Sequence, residues 1–114
     1  MLPIATVEIQ GYVYDAKVRC ARLAREHWGD EELAEQLEQQ AAELKERFNR
    51  DFWLEDRGWF ALGLDARKRP IDALTSNIGH CLWTGIVDDD KVERVAAHLA
   101  SPEMFSGWGV RTLA

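Results

Sequence analysis

Thr75-Ser76-Asn77-Ile78-Gly79-His80-Cys81-Leu82-Trp83-Thr84-Gly85-Ile86 is the stretch on which the fold turns. It has helical length and almost no charge, in a chain whose residues are 30% Asp, Glu, Lys and Arg. A helix without a charged face is buried, with neighbours on more than one side. The segment therefore predicts an inner helix. Pro70, Asp72, then Thr75 and Ser76 read as its start, because a hydroxyl there can accept an N–H from the first turn. Asn77, His80 and Thr84 recur at i, i+3 and i+7 and share one stripe, while Ile78, Cys81, Leu82 and Gly85 pack elsewhere. A polar stripe on a buried helix faces either satisfied partners or a pocket.

Working back from this segment, Phe52–Leu54 and Trp59–Leu64 read as two short strands around a turn at Glu55-Asp56-Arg57-Gly58, giving a β-hairpin over residues 52–64. Asp65 to Pro70 is a surface turn. Ahead of the hairpin lie two long helical patterns. From about Val7, the apolar residues Ile9, Val13, Ala16, Cys20 and Ala24 step by three and four, with Tyr12 and Leu23 beside them. Lys17, Arg19, Arg22 and Arg25 take the other side. Gly29 ends this helix and Asp30 caps the next, which runs to Phe52 with Leu33, Leu37, Ala41, Leu44 and Phe48 in one stripe. Helices joined by so short a turn are antiparallel neighbours. Residues 2–6 are an extended lead-in, since Pro3 does not fit inside a helix.

Beyond the inner segment, Asp88–Asp90 open a fourth helix, which completes a helix pair over residues 76–100. Val92, Val95, Ala96 and Leu99 point inward, and Lys91, Glu93, Arg94 and His98 outward. Ser101-Pro102-Glu103 starts a short turn through Met104 and Phe105, and residues 105–114 form a Gly-rich loop. Loop, buried helix, tight turn and solvated helix thus occur twice, which predicts an all-α fold of stacked helical hairpins. Stacking puts the loop before each inner helix at the same end. Glu8, Gln10 and Tyr12 then gather near Asn77 and His80, and near Trp108 and Arg111.

The 114 residues suit one domain or part of a larger one. A net charge of −6 argues against nucleic acid or an anionic membrane surface as partner. No apolar run approaches the roughly 20 residues that span a bilayer. The N-terminus lacks the basic lead and long apolar core of a secretory signal. Cys20 and Cys81 lack metal-ligand spacing and read as free thiols of a reducing compartment, which places the chain in the cytoplasm. His27, His80 and His98 do not make a metal site, because His27 and His98 lie at the outer ends of solvated segments. His80 and Cys81 do not make a nucleophile pair, since adjacent helical residues point about 100° apart. No cofactor is implied. The five tryptophans exceed what a core of this size needs, and indole rings also stack on apolar faces of ligands.

Three stretches carry a resemblance: Val7-Glu8-Ile9-Gln10-Gly11-Tyr12-Val13-Tyr14-Asp15-Ala16, Leu74 through Ile86, and Phe105-Ser106-Gly107-Trp108-Gly109-Val110-Arg111-Thr112-Leu113. With Phe48-Asn49-Arg50-Asp51-Phe52-Trp53, they resemble the bacterial amylo-α-1,6-glucosidase (glycogen debranching) family over the whole chain and, more distantly, trehalases. The resemblance implies part of an (α/α)6 toroid, with sugar held at the mouth formed by the inner-helix loops. It implies hydrolysis of α-1,6 branch linkages in glycogen-like α-glucans by two carboxyl groups, an acid and a base. In that family the acid precedes the Val-Glu-Ile-Gln-like segment and the base follows the Arg-Thr-Leu-like one. The chain is therefore expected to contribute sugar contacts from Glu8, Gln10, Tyr12, Asn77, His80, Trp108 and Arg111, but no catalytic residue. Asp15 and Asp72 are weaker acidic candidates. Glu8 would accept sugar hydroxyls, or serve only as a first-turn acid. Asn77 and His80 would bond ligand or loop backbone. Arg111 would hold a hydroxyl or carboxylate by its fork, or pair with Glu8. The expected partners are an α-glucan or oligosaccharide and the remainder of the toroid. The alternative is a self-associating helical interaction module without activity.

Overall fold

The computed structural model describes residues 2–114. Strand β1 (Ala5–Thr6) leads into helix α1 (Val7–Glu26), which is followed by α2 (Glu31–Asp51). Asp30 caps α2 as its type and position predict, its Oδ1 accepting the Leu33 N–H at 3.0 Å. The two helices are antiparallel. Lys17 donates to Gln40 at 2.7 Å in the middle of the pair, and at the closed end Arg25 binds both Glu31 and Glu38. Between these ties Ala21, Ala24 and Ala34 are buried together with Leu33 and Leu37 against them, so small side chains let the two backbones approach.

The α1 stripe differs from the expected one. Val7, Gly11, Ala21 and Ala24 are the buried residues, whereas Ile9 and Val13 are 48% and 40% exposed and Ala16 is exposed. The helix meets its neighbours along the row through Gly11, which leaves the larger apolar row uncovered. Along α2 the pattern holds better: Ala41, Phe48 and Phe52 are buried.

Phe48 anchors the main core. Its ring stacks on Phe60 at 4.6 Å and lies 5.1 Å from Phe52, with Val7, Leu74, Ile78, Ile86, Val95 and Met104 buried around them. Strands β2 (Trp53–Leu54) and β3 (Trp59–Phe60) form the expected hairpin, pairing Trp53 with Phe60 and Leu54 with Trp59. A second sheet was not legible in the pattern. β1, β4 (Gly63–Leu64) and β5 (Pro70–Ile71) pair antiparallel in the order β1-β4-β5. The stretch read as one strand over Trp59–Leu64 is therefore split between two sheets. The extended lead-in is a strand that hands its direction straight to α1, with the Val7 N–H donating to the Leu62 carbonyl at 2.9 Å.

Helix α3 (Ile78–Thr84) is shorter than the Thr75–Ile86 segment expected to form it. Thr75 and Ser76 do not cap it. Both are drawn into backbone pairing with the C-terminal segment, Thr75 opposite Leu113 and the Ser76 N–H on the Thr112 carbonyl at 3.1 Å. Ile78, Cys81 and Thr84 are buried, while Trp83 stands 58% exposed, so one flank of the inner helix is open. Gly85, in the left-handed region at φ 82°, ends it.

The turn into α4 (Asp89–Leu99) is held by Asn49 of α2. Its amide donates to the Lys45 and Ile86 carbonyls, each at 2.8 Å, and its Oδ1 accepts the Asp88 N–H at 2.9 Å. On α4 the expected faces are partly exchanged. Val95 is buried, but Val92 and Ala96 are exposed. Lys91 and Arg94, expected outward, place their charges 5.6 and 5.1 Å from the centre of the Trp53 ring. His98 meets Trp59 edge-on at 5.0 Å. The hairpin indoles lie under this side of the helix, and long basic side chains cover aromatic faces while their heads stay wet.

Candidate functional site

Three contacts set α1 against α3. The Cys81 thiol donates to the Val7 carbonyl at 3.6 Å. A Cβ on Gly11 would come within 2.8 Å of Thr84 Oγ1 and 3.5 Å of the Cys81 Cα. A Cβ on Gly85 would come 3.7 Å from the Tyr14 ring. Partners climb together along both helices, so α1 and α3 are parallel and start at the same end, as stacked hairpins require. Glycine at position 11 is what permits this approach. The Cys81 thiol is pushed up to about 12 by burial, with the Glu8 carboxylate nearby acting in the same direction.

The C-terminal segment closes on this end. Besides the Thr75 and Ser76 pairings, the Ala114 N–H donates to the Leu74 carbonyl at 3.1 Å. Ser76, Gly79, His80, Trp83, Leu99 and Val110 line a shallow cleft between α3, α4 and this segment.

The residues expected to gather do so in part. Tyr12 and His80 meet, their rings 5.6 Å apart and edge-on at 70°. Trp83 completes the cluster, 6.0 Å from Tyr12 and 6.4 Å from His80, with its Nε1–H donating to His80 Nδ1 at 3.1 Å. Trp83 had the right spacing in the sequence, three residues after His80, but any single indole in an apolar segment reads first as packing. Glu8 stands on the first turn of α1 with Oε2 buried and without a partner among the described residues; Thr75 Oγ1 is in the same condition. Such atoms are uncommon in folded proteins and mark places where a water or ligand supplies the missing bond.

Gln10 leaves the group. Its amide donates back to the Thr6 carbonyl at 3.1 Å, and it lines a different groove with Arg47, Asp51 and Lys68. Residues two apart on a helix point to opposite sides. Thr84 leaves the polar stripe too, buried under α1 with its hydroxyl donating to the Cys81 carbonyl at 3.0 Å. Asn77 occupies the N-cap position of α3 without a side-chain cap bond. Trp108 is 99% exposed. It sits on a turn in which Ser106 Oγ accepts the Trp108 and Gly109 N–H groups, both at 3.3 Å, and Gly107 takes φ 93°. The Arg111 backbone N–H donates to the Met104 carbonyl at 2.7 Å, and no ion pair joins its side chain to Glu8 among the described residues. The weaker acidic candidates are engaged elsewhere, Asp15 with Arg19 at 2.9 Å and Asp72 with Arg57 at 2.7 Å. Among the described residues, no group of three or more His, Cys, Asp or Glu side chains could hold a metal ion.

Parallel inner helices that start at one end, each followed by a helix returning outside it, define a segment of a helical-hairpin toroid. A solved structure of that architecture superposes closely: neutral trehalase Nth1 from Saccharomyces cerevisiae, with a TM-score of 0.86 at 16% identity. The match covers 97% of this chain and 22% of the trehalase chain. The family described as "Mannosylglycerate hydrolase MGH1-like glycoside hydrolase domain" matches residues 3–114, and the chain belongs to that glycoside hydrolase family. No curated protein matches the sequence.

Proposed function

We propose that this chain lines one side of the sugar-binding mouth of a glycoside hydrolase toroid, and that it contributes binding rather than acid–base chemistry. The observation that carries the proposal is the Tyr12–His80–Trp83 cluster, which joins the second turn of α1 to the exposed flank of α3. Aromatic faces beside hydrogen-bonding groups suit a pyranose, which has an apolar C–H face and a polar rim. Glu8 supplies an acceptor for hydroxyl protons there. Hydrolysis of a glycosidic bond takes two carboxyl groups flanking the bond, and Glu8 is the single carboxylate proposed for the mouth.

For the substrate, the sequence resemblance favours an α-1,6-linked glucan branch. Mannosylglycerate is the second reading, favoured by the description of the family that matches residues 3–114. The two free thiols, Cys20 and Cys81, support a reducing, cytoplasmic setting. The uncovered row with Ile9 and Val13 is the side on which further inner helices of a toroid would pack. The 114-residue chain alone is expected to self-associate through it.

Incubating the chain with isomaltose, a branched α-glucan and mannosylglycerate, while following tryptophan fluorescence and sugar release, tests the proposal. Quenching by one of these sugars without turnover is the expected result. Turnover abolished by Glu8→Gln would overturn the binding-only role, and no quenching by any of the sugars would overturn the mouth assignment.

A further inference from the structure

The geometry points to Trp83 as a positioning residue that fixes the tautomer of His80, so that the imidazole offers an N–H donor to a sugar hydroxyl oxygen. The inference rests on the proposed sugar-binding reading and extends it to a residue outside the expected set.

An indole Nε1–H can only donate, and a neutral imidazole has one protonated and one accepting nitrogen. Trp83 Nε1 lies 3.1 Å from His80 Nδ1, so Nδ1 is the acceptor and the ring proton sits on Nε2. His80 is exposed, and its Nε2–H is the group left to meet a ligand. The same bond orients the indole, which is 58% exposed on a helix whose other large side chains are mostly covered. The Trp83 and Tyr12 rings are tilted 33° to one another, and His80 stands edge-on to both, at 81° and 70°. A pyranose lying against these rings places its apolar C–H face on carbon and a hydroxyl oxygen at the imidazole Nε2–H. The ligand class is therefore a neutral sugar, recognised through one hydroxyl as acceptor.

The test uses the 114-residue chain, isomaltose and mannosylglycerate as probes, and two readouts. Nitrogen-15 NMR of the neutral imidazoles reports the His80 tautomer without any sugar present. In the wild-type chain His80 should be the Nε2–H form, and Trp83→Phe, which keeps a ring and removes the donor, should turn it into a tautomer mixture. Sugar affinity should fall about three- to ten-fold in Trp83→Phe, as expected for a neutral hydrogen bond. His80→Gln, whose amide nitrogen stands where Nε2 stood, should bind more tightly than His80→Asn, whose amide reaches only the Nδ1 position. A purely structural role for Trp83 would move neither the tautomer nor this order. An Nδ1–H tautomer in the wild-type chain, or a tautomer unchanged in Trp83→Phe, overturns the inference. A fixed Nε2–H tautomer with no binding of either sugar would leave the Trp83–His80 bond intact while removing both its sugar role and the mouth assignment.

Discussion

The two helix pairs of this chain are built in different ways. In α1–α2, helices of 20 and 21 residues pack along most of their length, tied by Arg25, Glu31 and Glu38 at the closed end. In α3–α4 the helices have 7 and 11 residues, and what holds them comes from elsewhere: Asn49 of α2, the hairpin indoles under α4, and the C-terminal segment paired beside Thr75 and Ser76. The first pair is a scaffold that carries its own instructions. The second is a mounted element, and it carries most of the candidate site. Short helices are marginal without tertiary packing, so the position of His80 and Trp83 depends on residues distant in sequence.

The comparison breaks most completely at the core that both pairs share. Phe48→Ala removes the ring stacked on Phe60 and should lower stability by about 3–5 kcal/mol in denaturant titration, with both pairs unfolding together. Loss of protection in α3 and α4 alone would show that the second pair folds apart from the first. A sharper separation comes from Asn49→Leu. It leaves the Ile86 carbonyl and the Asp88 N–H without their partner, a loss of about 2–4 kcal/mol. Hydrogen exchange should speed up first around Gly85–Asp88 and α3, with α1 and most of α2 still protected.

Gly11→Val acts on the seam between the pairs. Its side chain meets Thr84 Oγ1, and overpacking of this kind costs about 1–3 kcal/mol. The Tyr12–His80 contact should loosen with it, read as weaker sugar quenching of tryptophan fluorescence.

The smallest effect belongs to the first pair alone. Hydrogen bonding to Arg25 holds the Glu38 carboxyl below its ordinary value of 4.5. A carboxyl depressed in the folded state stabilises above its unfolded value, and that contribution is lost as the pH falls through the folded one. Stability should therefore decline slightly below about pH 4.5, and Arg25→Met should flatten that slope. Because the pair is exposed, raising the salt concentration should flatten it too.

The contrast also explains what was legible in the sequence. Asp30 as a cap, the antiparallel α1–α2 turn and the Trp53–Phe60 hairpin follow from local chemistry and short range, and local patterning specifies them. The start of α3 does not, because Thr75 and Ser76 are good caps in isolation and only the distant segment around Leu113 claims them for pairing. The α1 stripe misled for a related reason: Ile9 and Val13 are apolar at helical spacing, yet the row that packs is the one containing Gly11, chosen by the close approach of α3. At the site, stacking of hairpins was enough to bring Tyr12 to His80. Gln10 was misplaced, since residues 8 and 10 cannot share a helix face, and Trp83 was missed, since its indole bond to His80 is a matter of side-chain geometry.

The most direct test of the account is a titration of the 114-residue chain with isomaltose, following the indole N–H resonances of its five tryptophans. The account predicts that Trp83, clustered with Tyr12 and His80, and the exposed Trp108 shift with sugar, while Trp53 and Trp59, beneath α4, stay in place. Shifts confined to Trp53 and Trp59, or no shift of any indole, would contradict it.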